Sequence, residues 1–341
     1  MRPLRLNIAY FHRESMIVTA SAPGKLMLFG EHAVVYGYPC LVTTVDLRVS
    51  TTIERTQSGT IDIAPSLPGE AEQHYLFTLD EIVQSNVIFP KAVSFVASAI
   101  AHFFRRYNVR SGLHIMTTGL AKNYGLGSSS AITVATIAAL NALFNVQLSS
   151  REIFDLAFAV VLDVQRGTAS GFDVAAAVYG GTVYYSKRGD IIEPLELPAP
   201  SFIVGYSGEK VSTTDYVEQV RRLYQQMPTL IEPIFALMTT IVEQARLALH
   251  AGDHAEIGRL MNINQGLLDS LGVNTLSLAR PIFAARDAGA LGAKLSGAGG
   301  GDCMFAIADD DARGAVITAM QSAGCEVLDV ALHTDGVCID T

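Results

Sequence analysis

The sequence predicts an α+β protein with two halves. Runs rich in β-branched residues mix with longer stretches in which apolar residues recur at helical spacing, and this mixture is typical of that class. A proline-rich segment at 194–200 separates an earlier mixed region from a later one. We therefore expect one domain over 16–195 and a second over 196–341. With 341 residues, of which 50% are hydrophobic, the chain is long enough for both domains to bury a core.

Strands dominate the structure predicted before residue 120. Residues 17–22 predict a strand that Pro23 and Gly24 end, and β-branched runs predict two more strands over 39–46 and 49–54. The other predictions for this region are, in order, a hairpin with loops in 56–75, a helix over 91–107 and a strand over 112–117.

Helices account for much of the chain that follows. The apolar stretch 131–144 is rich in alanine and too long for an ordinary strand, so it predicts a buried helix. Amphipathic spacing over 214–271 predicts two or three helices, broken at Pro228 and at Gly252. The other predictions are a helix over 153–164 with its cap at Ser150, a helix over 310–322, and strands over 180–185, 202–206, 303–307, 326–332 and 337–339.

Charge and cysteine content argue against several classes of function. The formal net charge of −9 gives no electrostatic reason to bind nucleic acid or an anionic membrane. No apolar run reaches the roughly 18 residues that span a bilayer. The four cysteines have neither the spacing of a metal site nor that of a disulfide framework, which indicates buried, reduced thiols in a cytoplasmic protein.

The segment GLGSSS at 125–130, directly before the predicted buried helix, is the first candidate binding loop. Its glycines let a ligand approach the backbone closely, and its serines supply hydroxyl and N–H groups. The start of a helix has unpaired N–H donors and a partial positive charge, so it attracts phosphate. The alternative is a Gly/Ser turn that only begins a core helix.

A second glycine-rich loop, SGAGGGD at 296–302, favours the phosphate-binding interpretation. Two such loops in one chain are more than turns require, and one of them can hold phosphates while the other shapes the pocket beside them. Neither loop has the spacing of a Walker A motif or of a Rossmann fingerprint.

Four polar residues stand among apolar neighbours. Asp173 lies between Phe172 and an alanine-rich run, where it is either a first-turn helix acid or a carboxylate held in a partly dry cleft to accept a proton. Lys25 is either a solvated surface lysine or a group of the same cleft. Glu31 and His32 interrupt another apolar stretch, and a histidine there is most often a satisfied core residue.

Three motifs in order resemble those of the GHMP kinases, the group of galacto-, homoserine, mevalonate and phosphomevalonate kinases. They are PGKLMLFGEHAVVYG at 23–37, GLGSSS at 125–130 and KLSGAGGGDC at 294–303. The resemblance covers nearly the whole chain from about residue 17. It implies an N-terminal domain like that of a ribosomal S5 protein, a C-terminal ferredoxin-like domain, and an active site between them that uses ATP and Mg²⁺.

Within the family, the first motif and the segment at 261–273 are most similar to mevalonate kinases, which phosphorylate the 5-hydroxyl of mevalonate. Ala121 with Lys122, the segment at 170–180 and Asp302 look instead like phosphomevalonate kinases, whose acceptor is mevalonate 5-phosphate. The first motif carries the most weight because it lies beside the acceptor in this family. A non-catalytic binding or regulatory relative is the third interpretation. The resemblance also suggests a homodimer.

The resemblance assigns roles to individual residues. Asp173 matches the base that takes the proton of the acceptor hydroxyl, and Lys25 matches the lysine beside it. Mevalonate kinases usually have a magnesium-binding glutamate eleven residues before the aspartate, but that position is Leu162 here, so the metal ligands implied are Ser129 and Asp163. The residues implied at the ATP phosphates are Lys122, Gly125, Leu126, Gly127, Ser128, Ser129, Ser130, Gly299 and Gly300. Those implied at the acceptor are Glu31, His32, Ser170, Ser212, Thr213, Gly297 and Ala298.

Overall fold

A computed structural model describes residues 17–66, 73–84, 87–119, 124–197 and 201–340 of the protein. Within these residues the strands form one sheet of eight and one of four. The strands are β1 (Ile17–Phe29), β2 (Cys40–Thr56), β3 (Thr60–Ser66), β4 (Tyr75–Thr78), β5 (Gly112–Thr118), β6 (Thr182–Ser186), β7 (Ile191–Leu195), β8 (Phe202–Tyr206), β9 (Gly292–Leu295), β10 (Cys303–Ile307), β11 (Glu326–Leu328) and β12 (Cys338–Asp340).

Helices pack against both sheets. They are α1 (Leu79–Val83), α2 (Ser94–Tyr107), α3 (Ser128–Phe144), α4 (Ser150–Val164), α5 (Phe172–Tyr179), α6 (Thr213–Gln226), α7 (Pro228–Ala251), α8 (His254–Ser270), α9 (Leu276–Asp287) and α10 (Asp310–Ser322). Two short 3₁₀ helices lie at Ala33–Tyr36 and Lys187–Gly189. Among the helices of the described ranges, none combines the length and apolar character that crossing a membrane requires.

The larger sheet has the strand order β12-β1-β2-β5-β3-β4, with β6 paired to β2 and β7 paired to β6. Neighbouring strands are antiparallel except for the parallel pair β3 and β5. Helix α3 packs directly on β1 and β2, and α2, α4 and α5 surround it. Because β12 pairs with β1, the last strand returns to this sheet from the far end of the chain.

The smaller sheet has the order β11-β8-β10-β9 and is antiparallel throughout. Helices α8 and α9 pack on β9. A continuous apolar cluster joins the two sheets, since side chains of β1 such as Leu26 and Phe29 pack together with Phe202 of β8 and Phe305 of β10. The two halves therefore share a core, and β1 stands at the boundary between them.

Helix α3 confirms the prediction of a buried helix after the GLGSSS segment. Its apolar side chains are buried on nearly every side, so it has no solvent-facing stripe. The hydroxyls of its buried Thr133 and Thr136 donate to the carbonyls of Ser129 and Ile132 one turn earlier, which satisfies them in an apolar setting.

Two predictions about the first strands were wrong. Pro23 and Gly24 do not end a strand, because β1 continues through them to Phe29 with a register shift between the two residues. The runs at 39–46 and 49–54 are one strand, β2, because the same bulge lets both strands stay paired beyond it. The sequence pattern marks the irregularity correctly, but pairing to a neighbour decides whether a strand ends there.

Most later elements agree with the predictions, with local differences. The breaks at Pro228 and Gly252 are confirmed, since Pro228 begins α7 and Gly252 ends it in a left-handed conformation (φ 64°). The cap of α4 is Ser149, which forms a reciprocal capping box with Glu152, one residue before the predicted position. The strand predicted over 326–332 ends at Leu328. Helix α9 and strand β9 were not predicted.

The cysteines are all free, and three of them are buried as predicted: Cys40, Cys303 and Cys325. Cys338 is exposed because it begins the three-residue strand β12 at the edge of the larger sheet.

Candidate functional site

Two adjoining cavities meet at the start of α3. The smaller, of about 560 Å³, is lined by residues of β1, the GLGSSS segment, the start of α5 and the loop at 296–302. The larger, of about 1120 Å³, extends over the larger sheet towards α2 and α4. Ser128 and Ser129 line both cavities, so a ligand bound in one can reach a ligand bound in the other at this point.

Lys25 and Asp173 meet in the smaller cavity. The lysine Nζ lies 3.7 Å from Oδ1 of Asp173, and only 10% of the lysine side chain is exposed, against 32% of the aspartate. Lys25 directly follows the bulge in β1, where its backbone N–H donates to the carbonyl of Leu126 over 2.8 Å. Asp173 is the second residue of α5. The bulge in β1 and the start of α5 thus bring Lys25 and Asp173 together.

The environment of Asp173 makes its carboxylate a better proton acceptor than an ordinary aspartate. Burial raises the pKa of Asp173, and the charge of Lys25 opposes that rise. Its Oδ1 is buried and has no hydrogen bond to any residue that the structure describes. A carboxylate with a raised pKa beside a cavity is typical of general bases.

The glycines of the GLGSSS segment allow close packing that a side chain would prevent. Gly125 and Gly127 both have a φ of 79°, which favours glycine. A Cβ on Gly127 would lie 3.0 Å from Cγ of Lys25, and one on Gly125 would lie 2.4 Å from Cγ of Asp302. The Nζ of Lys25 also lies 3.4 Å from the carbonyl oxygen of Gly125. The loop is therefore shaped around the charged groups of the cavity.

The three serines of this segment form the first turn of α3. Gly127, which precedes them, makes no side-chain cap, so their N–H groups are among the unpaired donors of a helix start. These donors and the helix dipole favour an anion, and Ser128 and Ser129 face the two cavities where such an anion would lie. Leu126 is buried and contributes its carbonyl to Lys25, and Lys122 lies outside the described residues.

The loop at 296–302 has one part that lines the smaller cavity and one that packs away from it. Gly297 and Ala298 line the cavity. A Cβ on Gly299 would lie 2.3 Å from the carbonyl oxygen of Val273, and one on Gly300 would lie 2.0 Å from the ring of Tyr216. Neither of these two glycines is a lining residue, so they allow the loop to pack closely and do not themselves face the cavity.

Glu31 and His32, two of the predicted acceptor residues, are adjacent in sequence, but their side chains lie in different surroundings. His32 lines the smaller cavity, and its Nε2 lies 3.1 Å from the carbonyl oxygen of Ala298, to which the neutral ring donates in one tautomer. Burial lowers the pKa of His32 to about 4, so the ring is neutral near pH 7. Glu31 does not line the cavity, because its carboxylate is buried in an ion pair with Lys294.

Among the other predicted residues, too, some line a cavity and some do not. Ser170 and Thr213 line the smaller cavity, and the carbonyl of Ser170 accepts a hydrogen bond from Tyr185 over 2.6 Å. Ser212 precedes α6 and is not a lining residue. Asp163 lines the larger cavity, as does Ser129, and its Oδ2 lies 3.1 Å from Nε2 of His102.

Two cations of the smaller cavity, Arg188 and Arg221, were not predicted from the sequence. Arg221 is paired with Glu218 at 2.7 Å, whereas Arg188 donates to the carbonyl of Val35 over 3.3 Å and has no ion pair with any residue of the described ranges. Arg188 has a left-handed φ of 54° in the turn after β6. Its sequence neighbours give no signal, since the segment KRG at 187–189 is typical of an ordinary charged turn.

Comparison with known proteins identifies the family. The descriptions GHMP kinases N terminal domain and GHMP kinases C terminal match residues 94–181 and 245–325. The mevalonate kinase of Pyrococcus abyssi is 40% identical over 339 residues, which cover 95% of this chain and 98% of that protein. The chain belongs to the GHMP kinases. The relatives of about 40% identity are mevalonate kinases, so this GHMP kinase belongs to that branch.

Solved structures agree with this assignment of fold. The Methanococcus jannaschii mevalonate kinase is 25% identical to this GHMP kinase, with a TM-score of 0.78 over 95% of this chain and 100% of that one. The L. major mevalonate kinase, solved in complex with R-mevalonate, is 26% identical, with a TM-score of 0.72 over 92% and 95%. The predicted α+β fold of the GHMP kinases is confirmed.

Proposed function

We propose that this GHMP kinase transfers the γ-phosphoryl group of ATP to the 5-hydroxyl of mevalonate. The observation that carries the proposal is the position of the Lys25 and Asp173 pair, 3.7 Å apart, in a cavity that shares Ser128 and Ser129 with a second, larger cavity. An acceptor in the smaller cavity and a nucleotide in the larger one would meet at these residues. The mevalonate kinases among its relatives support mevalonate as the acceptor.

Asp173 acts as the base in this proposal. Its carboxylate takes the proton of the acceptor hydroxyl as the hydroxyl oxygen forms a bond to the γ-phosphorus and the bond to the bridging oxygen of ADP breaks. The ammonium group of Lys25 stabilises the alkoxide character that develops on the same oxygen. Lys25 also limits the rise in the pKa of Asp173, because its positive charge opposes the effect of burial and so favours the deprotonated carboxylate.

The N–H groups at the start of α3 hold the phosphates of ATP. Phosphoryl transfer requires mainly in-line positioning and neutralisation of charge, and a helix start provides both without a charged side chain. The hydroxyl of Ser129 and the carboxylate of Asp163 both line the larger cavity, and they are oxygen ligands of the kind that would hold Mg²⁺. When bound, Mg²⁺ would neutralise charge on the phosphate oxygens.

Arg188 is the group best placed to bind the carboxylate of mevalonate. Lys25 is paired with Asp173 and Lys210 with Asp302, whereas Arg221 shares the carboxylate of Glu218 with Arg222. Arg188 differs from these cations because it has no ion pair with a described carboxylate, so its charge is available to an anionic acceptor. The neutral ring of His32 offers a hydrogen bond near the same loop.

The four free cysteines support a reducing, cytoplasmic location. The family resemblance suggests a homodimer, which sedimentation of the purified protein would test.

The deciding experiment is a substrate panel. ADP release is measured with MgATP and either mevalonate, mevalonate 5-phosphate or galactose, and the product is examined by ³¹P and ¹³C NMR. Rapid turnover of mevalonate with phosphorylation at carbon 5 supports the proposal. Turnover of the 5-phosphate alone would make the protein a phosphomevalonate kinase. Nucleotide binding without turnover of any acceptor would favour a binding or regulatory protein.

A further inference from the structure

Glu31 and Lys294 form an ion pair that is entirely enclosed by protein. Both side chains have 0% exposure, and Nζ of Lys294 donates to Oε1 of Glu31 and, over 2.7 Å, to the carbonyl of Leu295. The ammonium also lies over the rings of Phe29 and Phe305, at 5.7 and 5.1 Å from their centroids. The second carboxylate oxygen, Oε2, is buried without a hydrogen bond to a described residue.

This pair joins the first motif to the third. Glu31 follows β1 of the larger sheet, and Lys294 belongs to β9 of the smaller one. Two further contacts run in parallel with it. The hydroxyl of Ser296 accepts from the N–H of Met27 over 3.0 Å and donates to its carbonyl over 2.8 Å. In the other contact, Nε2 of His32 lies 3.1 Å from the carbonyl oxygen of Ala298.

Stability alone does not explain why charges occupy this position. Removing two ions from water costs more free energy than their attraction commonly returns, and apolar side chains of similar volume often stabilise such a site equally well. Burial opposes the charged form of both groups, since it raises the pKa of Glu31 and lowers that of Lys294. An ion pair is more specific than an apolar contact, because it joins one carboxylate oxygen to one ammonium group in a defined geometry.

The residues adjacent to the pair face the acceptor end of the smaller cavity. His32 follows Glu31 directly and has a left-handed φ of 62°, a conformation that its surroundings must maintain. Gly297 and Ala298 follow Lys294 after two residues and line the same cavity. Neither Glu31 nor Lys294 lines the cavity itself, so any effect on an acceptor passes through these neighbours.

We propose that Glu31 and Lys294 are positioning residues, which hold the first motif and the third loop at the separation at which His32 and the Gly297–Ala298 segment shape the acceptor end of the cavity. This inference rests on the proposed phosphorylation of mevalonate, and it replaces a direct contact between Glu31 and the acceptor with an indirect role. It implies that the pair affects acceptor binding much more than nucleotide binding, because the start of α3 is not attached to it.

The test is the double variant Glu31→Leu with Lys294→Met, which removes both charges and leaves no ion unpaired. We expect a folded protein with a melting temperature near that of the wild type, a KM for mevalonate raised about 10-fold or more, and a KM for ATP within about 2-fold. Deuterium uptake at 296–302 should also increase, and this readout requires no substrate. A folded double variant with the wild-type KM for mevalonate and wild-type uptake would overturn the proposal.

Two further variants complete the test. Glu31→Gln leaves the buried ammonium group of Lys294 without a counter-charge, so it should lower the melting temperature more than the double variant does and still raise the KM for mevalonate more than the KM for ATP. Equal changes in the KM for mevalonate and the KM for ATP would again overturn the proposal. The control is Glu193→Leu with Arg246→Met, an ion pair of 2.5 Å that also joins the two halves but lies partly exposed and outside both cavities. It should leave the KM for mevalonate unchanged. If the wild type itself does not turn over mevalonate, the proposed function fails, while the uptake comparison still tests the pair.

Discussion

The Nζ atom of Lys25 lies 3.7 Å from Oδ1 of Asp173, too far for a hydrogen bond and close enough for strong attraction. Lys25 comes from the bulged strand β1 and Asp173 from the first turn of α5. The separation leaves both groups able to contact a third atom between them. A hydroxyl oxygen placed there would face a base and a cation at once, which is the arrangement that proton removal during phosphoryl transfer requires.

Asp173→Asn should lower kcat by about 10² to 10⁴-fold, because a positioned base typically contributes that much. The KM for ATP should change little, since the phosphates are held at the start of α3. The measurement is a steady-state assay of ADP release with mevalonate. Asp155→Asn is the control, because Asp155 is half exposed on α4 and pairs only with Arg151 among the described residues. If Asp173→Asn retained wild-type kcat, Asp173 would not be the base.

Lys25→Met should shift the acidic limb of the kcat profile to higher pH as well as lower its maximum. The base is active when deprotonated, and burial already raises the pKa of Asp173, so activity falls as the pH drops through that raised value. Lys25 opposes the rise, and its removal raises the pKa further. The check is kcat measured from about pH 5 to about pH 9 in both proteins. An acidic limb that moves to lower pH, or stays in place, would contradict the pairing.

Much of the site was predictable because its residues violate the local pattern. Asp173 and Lys25 stand among apolar neighbours, and the GLGSSS segment precedes a helix that has no polar face. Charged residues among apolar neighbours can be recognised from the sequence alone. The placement of Ser128 and Ser129 at a helix start follows from the same signals, whereas their position between two cavities was not predicted.

What sequence could not predict depends on contacts between distant segments. Glu31 looked like a group of the acceptor site, but its partner is Lys294, which lies 263 positions further along the chain. Arg188 lies in a charged turn and reaches the cavity only because β6 and its turn pack beside the first motif. The continuation of β1 through Pro23 likewise depends on its pairing with β2. None of these three contacts is indicated by the residues next to it in the sequence.

Gly127→Ala should lower kcat about 10- to 100-fold, because the new methyl group would lie 3.0 Å from Cγ and 3.1 Å from Cε of Lys25 and displace the ammonium group. Gly324→Ala is a matched control. Its φ of 90° imposes a similar backbone cost, about 1–2 kcal/mol, but no atom lies within 4 Å of the added carbon. Both variants should lose similar stability in thermal unfolding, and only the first should lose turnover. Equal kcat values would show that Lys25 tolerates displacement.

Arg188→Met should raise the KM for mevalonate about 10- to 100-fold, because a hydrogen bond to a charged group contributes about 1.5–3 kcal/mol. The KM for ATP should stay near its wild-type value, since Arg188 lines only the acceptor cavity. Arg221→Met is the control within the same cavity, because Arg221 is already ion-paired with Glu218, which also pairs with Arg222, and its effect should be smaller. A mevalonate analogue with an amide in place of the carboxylate separates charge from shape. The wild type should bind that analogue poorly, and Arg188→Met should remove the difference between the two acceptors. If both arginine variants raised the KM equally, the carboxylate would be recognised by the general field of the cavity and not by Arg188.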